Sequence, residues 1–371
     1  MALSRNSYLS KNIGDFPAEI NFGEVTYSRI ADLRYGTNPH QPAAWYRQDG
    51  RAGVIADMKV LKDGKSGLSQ TNLEDVSYAL NIVKFFDEPA CAVMKHVNPS
   101  GAAAALPGDT LKAIYIKARD ADARAAFGSV IAFNTKVDVE TAEEIMSTFC
   151  ECVVAPAYDE EAVKVFCDGE RFKLNKHIRI LQCGNPADLP RYTGDAEAAF
   201  CRTVKVLADG SLVLAEPLLT SLRSVDQLKP AEGENSKIGY RKSELAATPQ
   251  QLKDLLFAWY VNMSVRSNGV IIARDMQTLS VGTGEQDRVG AIEQAVVKFK
   301  EKFKGSDTLQ GAVMASDGFF PFADGVEVAA AAGVTAIIAP AGSLQDAAVI
   351  ERANQLGVAL YHAPERIFSH H

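Results

Sequence analysis

Lys95-His96-Val97-Asn98-Pro99-Ser100-Gly101 follows the apolar run Cys91-Ala92-Val93-Met94 and precedes the small residues Ala102 to Ala105. An apolar run, then polar residues closed by Pro and Gly, then an Ala-rich stretch predicts strand, turn and helix. That succession belongs to α/β folds, and open α/β sheets bind ligands beyond the carboxyl ends of their strands. Lys95 brings a cation to such an edge, His96 an acid/base group that titrates near neutrality, and Asn98 an amide to orient a polar group. A surface turn with an incidental Lys-His pair is the plain alternative.

Outward from this turn the rhythm continues. Toward the N-terminus, Leu73, Val76, Leu80 and Val83 recur at helical spacing after the Gly/Ser-rich loop Gly64 to Thr71. Asn72 stands where an N-cap would, a role that competes with ligand contact. Ile20 to Tyr27 reads as an early strand. Toward the C-terminus, helices are expected at Leu111 to Arg124, Thr141 to Cys150 and Glu160 to Phe166, alternating with strands at Val130 to Asn134 and Cys152 to Pro156. Periodicity weakens from Ile180 to Pro249. It resumes with a helix opened by Thr248-Pro249, a strand at Val270 to Ala273 with a hairpin return through Thr278 to Val281, and a helix at Val289 to Phe303. The expected fold class is α/β, as two tandem three-layer α/β/α domains over residues 1–195 and 196–371.

Three further stretches carry candidate chemistry. Leu33-Arg34-Tyr35-Gly36-Thr37-Asn38-Pro39-His40-Gln41-Pro42 packs polar groups onto a loop that Pro and Gly keep irregular, and the planar fork of Arg34 suits a phosphate. Gly282-Thr283-Gly284 leads toward Arg288 at a helix start, an anion site that lacks both the third glycine of a dinucleotide fingerprint and the Gly-Lys-Ser/Thr ending of a phosphate loop. Ser316-Asp317-Gly318-Phe319-Phe320-Pro321-Phe322-Ala323-Asp324 sets aromatic rings beside carboxylates, a pattern suited to a flat heterocycle, although one of the three Phe residues is expected to serve the core.

Composition narrows the classes. The 371 residues, 47% hydrophobic, suffice for two cores. No apolar run is long enough to span a bilayer, and Met1 to Ser7 does not lead into a signal-peptide core, so no membrane partner and a cytoplasmic location are expected. A formal net charge of −7 argues against a broad nucleic-acid surface, while an anionic metabolite needs only two or three local cations. The six cysteines are scattered, and Cys150 and Cys152 stand too close for an ordinary zinc knuckle, so reduced, mostly buried thiols are expected. The closing His370-His371 reads as a tag remnant.

Leu33 to Gly36 with Asn38 to Gln41, Lys95-His96 with Asn98-Pro99 and Gly101, Phe127-Gly128, Ser267-Asn268, Ser316-Asp317 with Phe319 to Phe322 and Asp324, and the tail around Arg366 closely resemble one family. It is the aminoimidazolecarboxamide ribonucleotide (AICAR) formyltransferase, or transformylase, part of the bifunctional purine-biosynthesis proteins. The resemblance runs from about Ile20 to His371 and finds no counterpart of the family's N-terminal IMP cyclohydrolase domain, so it implies a stand-alone transformylase. It implies two domains resembling cytidine deaminase. Deaminase chemistry itself is excluded, since neither a His-x-Glu nor a Pro-Cys-x-x-Cys signature occurs.

The reaction implied is formyl transfer from 10-formyltetrahydrofolate to the 5-amino group of AICAR. Carried over residue by residue, Lys95, His96 and Asn268 resemble the catalytic set. Arg34, Tyr35, Asn72, Glu151, Arg288, Phe319 and Arg366 resemble nucleotide contacts, and Phe127, Gly128, Pro321, Phe322 and Asp324 the folate pocket. The family also implies a homodimer with shared active sites and, in some members, a potassium ion near Ser267 and Asp317; the transfer itself requires no metal. Three positions depart from the family pattern, Ser100, Ala323 and Glu285, and Ser369 is an added tail residue. The last two substitutions bear on donor preference. A non-catalytic purine-nucleotide binding or regulatory protein is the alternative function, and retained cyclohydrolase activity a third.

Overall fold

The structure, a computed structural model, describes residues 10–370; Met1 to Ser7 and His371, on which the leader and tag readings rest, lie outside them. Two compact units divide the chain. The first takes the residues up to Val97 together with Asp109–Ile116 and Ala123–Asp188, and the second takes Asn98–Gly108, Lys117–Asp122 and the chain from Leu189 on.

In the first unit β1 (Glu19–Phe22), β2 (Val25–Asp32) and β3 (Ala44–Gln48) form a small antiparallel sheet. The expected strand at Ile20 to Tyr27 is thus two strands, turned at Gly23, whose φ of 62° a glycine adopts without penalty. β4 (Lys59–Lys62), α1 (Gln70–Val83) and β5 (Ala90–Lys95) follow. β6 (Asn98–Ala104) belongs to the second unit, and α2 (Leu111–Asp120) is divided between the two. β7 (Ser129–Phe133), α3 (Val139–Met146), β8 (Cys150–Ala155), α4 (Glu160–Cys167) and β9 (Arg179–Gln182) complete the first unit. Its main sheet runs β5-β7-β8-β9-β4, parallel from β7 to β9 and antiparallel at both edges.

The second unit opens with a hairpin of β10 (Thr203–Val206) and β11 (Leu212–Ala215), the short β12 (Lys229–Pro230), and a second hairpin of β13 (Glu232–Asn235) and β14 (Gly239–Lys242). Then come α5 (Pro249–Asn262), β15 (Val270–Arg274), β16 (Gln277–Gly282), α6 (Arg288–Phe303), β17 (Val313–Ser316), α7 (Asp324–Ala332), β18 (Ala336–Pro340), α8 (Asp346–Leu356) and β19 (Ala359–Ala363). The mixed sheet here runs β12-β19-β18-β17-β15-β16-β6. Its segment β15-β17-β18-β19 repeats, with the same strand directions, the β5-β7-β8-β9 of the first unit. With eight helices among the described residues, the fold is α/β.

The Ala-rich segment after the central turn is the strand β6, which corrects the helix expected there. Alanine favours helix in isolation, but here packing decides. A Cβ on Gly101 would lie 2.2 Å from the Ala118 carbonyl oxygen and 2.5 Å from Ala121 Cβ, so only glycine fits at that position of the strand. Asn72 is also not the N-cap of α1. Ser69 is: its Oγ accepts from the Asn72 N–H at 3.2 Å, and Asn72 Oδ1 accepts from the Ser69 N–H at 3.1 Å, a reciprocal box.

Each core follows from apolar periodicity. In the first unit, buried Val76, Ala79, Leu80 and Val83 seat α1 against β5 and β7. In the second, Ile292, Phe299, Met314, Val326, Ile337 and Leu360 gather between the helices and the sheet. Each such side chain contributes about 1.5–3 kcal/mol relative to exposure. Four of the six free thiols are buried, while Cys167 and Cys201 are exposed. Among the described residues no helix is long and apolar enough to cross a membrane.

Candidate active site

In the first unit the candidate residues converge on the end of β5. His96 and Val97 make the turn there, both in the left-handed region with φ of 53° and 61°. For a β-branched residue this costs on the order of 1–2 kcal/mol. The buried carboxylate of Asp75, on α1, accepts the Val97 N–H at 2.6 Å and the His96 N–H as well. Burial raises the Asp75 acid to about 6, against the pull of those two N–H groups and the Lys95 ammonium, while the Glu151 carboxylate pushes the same way as burial.

Lys95 Nζ donates to the Gly128 carbonyl oxygen at 2.7 Å. Gly128 takes a φ of 73°, beside Phe149, whose ring packs 5.1 Å from that of the exposed Phe127. Asn72, with its Oδ1 in the cap, donates from Nδ2 to Glu151 Oε2 at 3.1 Å. Against the larger effect of burial, the charge of Glu151 acts on the guanidinium of Arg34 and raises its pKa. Arg34 is buried, lies 4.6 Å from the centre of the Tyr35 ring, and its Nε has no hydrogen-bond partner among the described residues. Burial, and next the charge of Arg179, lower its pKa. Its loop is held by Arg34 N to the Leu68 carbonyl and by Asn12 N to the Arg34 carbonyl, each 2.7 Å. The arrangement could hold an anion: two buried guanidinium groups with one nitrogen unspent, near a lysine and an exposed histidine on a strained turn.

The second unit holds its own group. Asn98 Oδ1 accepts from the Arg266 N–H at 3.0 Å and from Thr283 Oγ1 at 2.7 Å, so this carbonyl orders the two loops beside it. Asn268, after a cis peptide bond from Ser267, donates from Nδ2 to the Glu285 carbonyl at 2.9 Å, and Ser267 N donates to the Ser369 carbonyl at 2.9 Å. Ser369 thereby joins the framework around Asn268. Glu285 Oε1 accepts from Gln294 Nε2 at 2.7 Å.

Arg288 starts α6 and forms a buried ion pair with Asp317, whose other oxygen accepts the Gly269 N–H at 2.7 Å. Breaking such a pair costs about 3–5 kcal/mol. The Arg288 guanidinium lies 5.6 Å from the centre of the Phe368 ring, with exposed Arg366 4.4 Å from the same ring. Of the three phenylalanines, Phe320 is 3% exposed and serves the core, while Phe319 at 37% and Phe322 at 64% present their rings outward. Pro321 and Asp324 are exposed beside them, and Asp324 Oδ1 accepts from the Gly325 N–H at the start of α7. Asn262 Oδ1 is buried without a hydrogen-bond partner among the described residues. It and Asp317 Oδ2 lie 2.8 and 3.2 Å from where a Cβ on Gly269 would be, so a side chain at that position would crowd both oxygens.

The AICARFT/IMPCHase bienzyme family matches residues 4–298. The chain belongs to that family. It is 38% identical to the bifunctional purine biosynthesis protein PurH of Acetivibrio thermocellus over 367 residues, 98% of this chain and 63% of that protein. The protein of the same name from Gloeothece citriformis is 39% identical over 344 residues, 92% of this chain and 59% of its own length. That of Oceanobacillus iheyensis is 34% identical over 370 residues, 100% and 64%. The chain thus spans less than two thirds of the length of these relatives.

Within this chain the first unit brings together Arg34, Tyr35, Asn72, Lys95, His96, Phe127, Gly128 and Glu151, and the second Arg288 with Arg366, and Phe319 with Pro321, Phe322 and Asp324. Sequence reading missed Asp75, Arg179, Phe149 and Phe368. An acidic residue at a buried helical position, next to Val76 in the sequence, was the one available signal for Asp75, because an unpaired carboxylate there is costly. Arg179, Phe149 and Phe368 offered none.

Proposed function

We propose that this chain transfers the formyl group of 10-formyltetrahydrofolate to the 5-amino group of AICAR, giving formyl-AICAR and tetrahydrofolate, within purine biosynthesis. Arg34 carries the reading: a buried guanidinium with an unspent Nε, in the same unit as Lys95 and His96, calls for an anionic ligand such as a nucleotide phosphate. The AICAR amine is a weak nucleophile, its lone pair delocalised into the ring and carboxamide. Transfer therefore needs a base as attack proceeds and a cation or donor where the formyl oxygen gains charge.

His96 is assigned the proton transfer, Lys95 the developing negative charge, and Asn268 the hold on the carboxamide. Tyr35, Asn72, Glu151, Arg288, Phe319 and Arg366 are assigned the nucleotide, with Phe127, Gly128, Pro321, Phe322 and Asp324 the folate. Asp324 offers a carboxylate to the amino group of a pterin beside exposed aromatic rings. A potassium ion near Ser267 and Asp317, a structural ion, belongs to the same reading, and the buried, unpartnered Asn262 Oδ1 is an oxygen that such an ion would take. The same proposal includes a cytoplasmic location, two cytidine deaminase-like domains over 1–195 and 196–371, and a homodimer with shared sites.

Purified protein incubated with AICAR and 10-formyltetrahydrofolate, with tetrahydrofolate followed spectrophotometrically and the nucleotide product identified by mass, tests the reaction. Formyl-AICAR with stoichiometric tetrahydrofolate is expected. AICAR binding without turnover would leave a nucleotide-binding protein, and IMP as product would mean a cyclohydrolase site.

A further inference from the structure

The strained turn at His96 and Val97 has a twin in the second unit. β15 and β16 are joined by Asp275 and Met276, whose φ values of 54° and 55° are again left-handed. Asp254, buried on α5, accepts from the Asp275 N–H with Oδ2 at 3.0 Å and from the Met276 N–H with Oδ1 at 2.8 Å. One constant interval in the sequence separates Ser69 from Thr248, Asn72 from Gln251, Asp75 from Asp254, His96 from Asp275, and Val97 from Met276. Ser69 and Thr248 are the N-caps of α1 and α5, and Asn72 and Gln251 close their capping boxes. Both repeats therefore use one device: a capped helix carries a buried aspartate, and that aspartate receives both N–H groups of a two-residue left-handed turn.

The device is dearer in the first unit. Two-residue turns with positive φ at both positions favour Asn and Gly; His96 and Asp275 both tolerate the conformation, but Val97 is β-branched where its equivalent Met276 is not. Without the two hydrogen bonds, His96 and Val97 would relax toward ordinary backbone angles, carrying the imidazole and the neighbouring Lys95 side chain with them. Displacement of a catalytic group by about 1 Å costs on the order of 100-fold in rate.

We propose that Asp75 is the positioning residue of the transfer step: its carboxylate holds the left-handed turn that aims His96 and Lys95, while Asp254 does the same for a turn with no part in the reaction. The proposal rests on the reading of the site given above. Asp75 touches no reacting atom and acts through the backbone.

The repeat supplies the control. Asp75→Ala, Asp75→Asn and Asp254→Ala are compared with wild type by urea unfolding, AICAR affinity, turnover, hydrogen exchange at the Val97 and Met276 amides, and the NMR signal of the His96 ring. Asp75→Ala should lower kcat about 100-fold with AICAR affinity within about 3-fold of wild type. Asp75→Asn, whose amide oxygen still accepts one N–H, should recover about 10-fold of that loss, and it alone decides if Asp75→Ala does not fold. Asp254→Ala should lose comparable stability yet keep kcat within about 2-fold of wild type. Equal loss of turnover in the two alanine variants, or undiminished kcat in Asp75→Ala, overturns the proposal. Absence of turnover in wild type would instead defeat the transformylase reading. Positioning would then be judged by Val97 exchange and the His96 ring signal, which must change in the Asp75 variants and not in Asp254→Ala.

Discussion

Lys95 Nζ rests 2.7 Å from the Gly128 carbonyl oxygen, and a Cβ on Gly128 would lie 3.1 Å from that same nitrogen. The glycine thus serves the lysine twice, by a φ of 73° that turns its carbonyl to the ammonium and by leaving the space beside it open. Gly128→Ala should cost about 1–2 kcal/mol in urea unfolding through backbone strain. It should also move the ammonium and depress turnover more than 10-fold, on the order expected for a misplaced catalytic cation. Unchanged turnover with reduced stability would separate Lys95 from the chemistry.

Arg34 presents the opposite balance of stability and function. Its burial and its proximity to Arg179 both work against its charge, as the lowered pKa records. Arg34→Met keeps the volume and removes that penalty. Stability without ligand should stay within about 1 kcal/mol of wild type, while AICAR affinity by calorimetry falls at least about 10-fold for the lost charge-assisted contacts. A large loss of stability with affinity intact would make Arg34 a framework residue.

The ionisation of Asp75 sets a pH dependence whose sign is fixed. An acid whose pKa is raised by folding, here from 3.8 to about 6, binds its proton more tightly in the folded chain. Its contribution therefore favours the folded state below pH 3.8 and is lost as pH rises through about 6, a swing of roughly 3 kcal/mol. Asp75→Asn cannot titrate there. Measured by urea unfolding, the stability of wild type minus that of Asp75→Asn should fall between pH 4 and pH 7, and a flat difference would rule out the raised acid.

Some of this was legible in the sequence and some was not, for identifiable reasons. Thr248-Pro249 announced α5, and the return through Thr278 to Val281 announced β16, because caps and alternation are local signals. The turn after β5 was misread, since His96-Val97 lacks the Asn-Gly signature and Ala102 to Ala104 mimic a helix. What makes that turn possible is a carboxylate on the preceding helix, and what demands a glycine at position 101 of β6 is the Ala118 carbonyl, both tertiary facts. The burial of Phe320 between exposed Phe319 and Phe322 likewise depends on where α7 begins. Residue types at the site could be read from the chain, but not the partners that hold them: Asp317 for Arg288, Glu151 for Asn72, and Glu285 for Asn268.

The hairpin of β10 and β11 bears on assembly. Val204 pairs with Leu214 and Val206 with Leu212, so by strand alternation these four side chains share one face, and all are exposed in the single chain. A two-stranded ribbon is marginal on its own, and an apolar face of this kind calls for a cover. The proposed homodimer offers a second copy as that cover. Val204→Lys with Leu214→Lys should then shift the protein from dimer to monomer in light scattering after size exclusion. Far-ultraviolet dichroism should be preserved, and turnover should fall with the dimer fraction if the sites are shared. A dimer that persists unchanged in the double variant would take this hairpin out of the interface, and a wild-type monomer with full turnover would reject shared sites altogether.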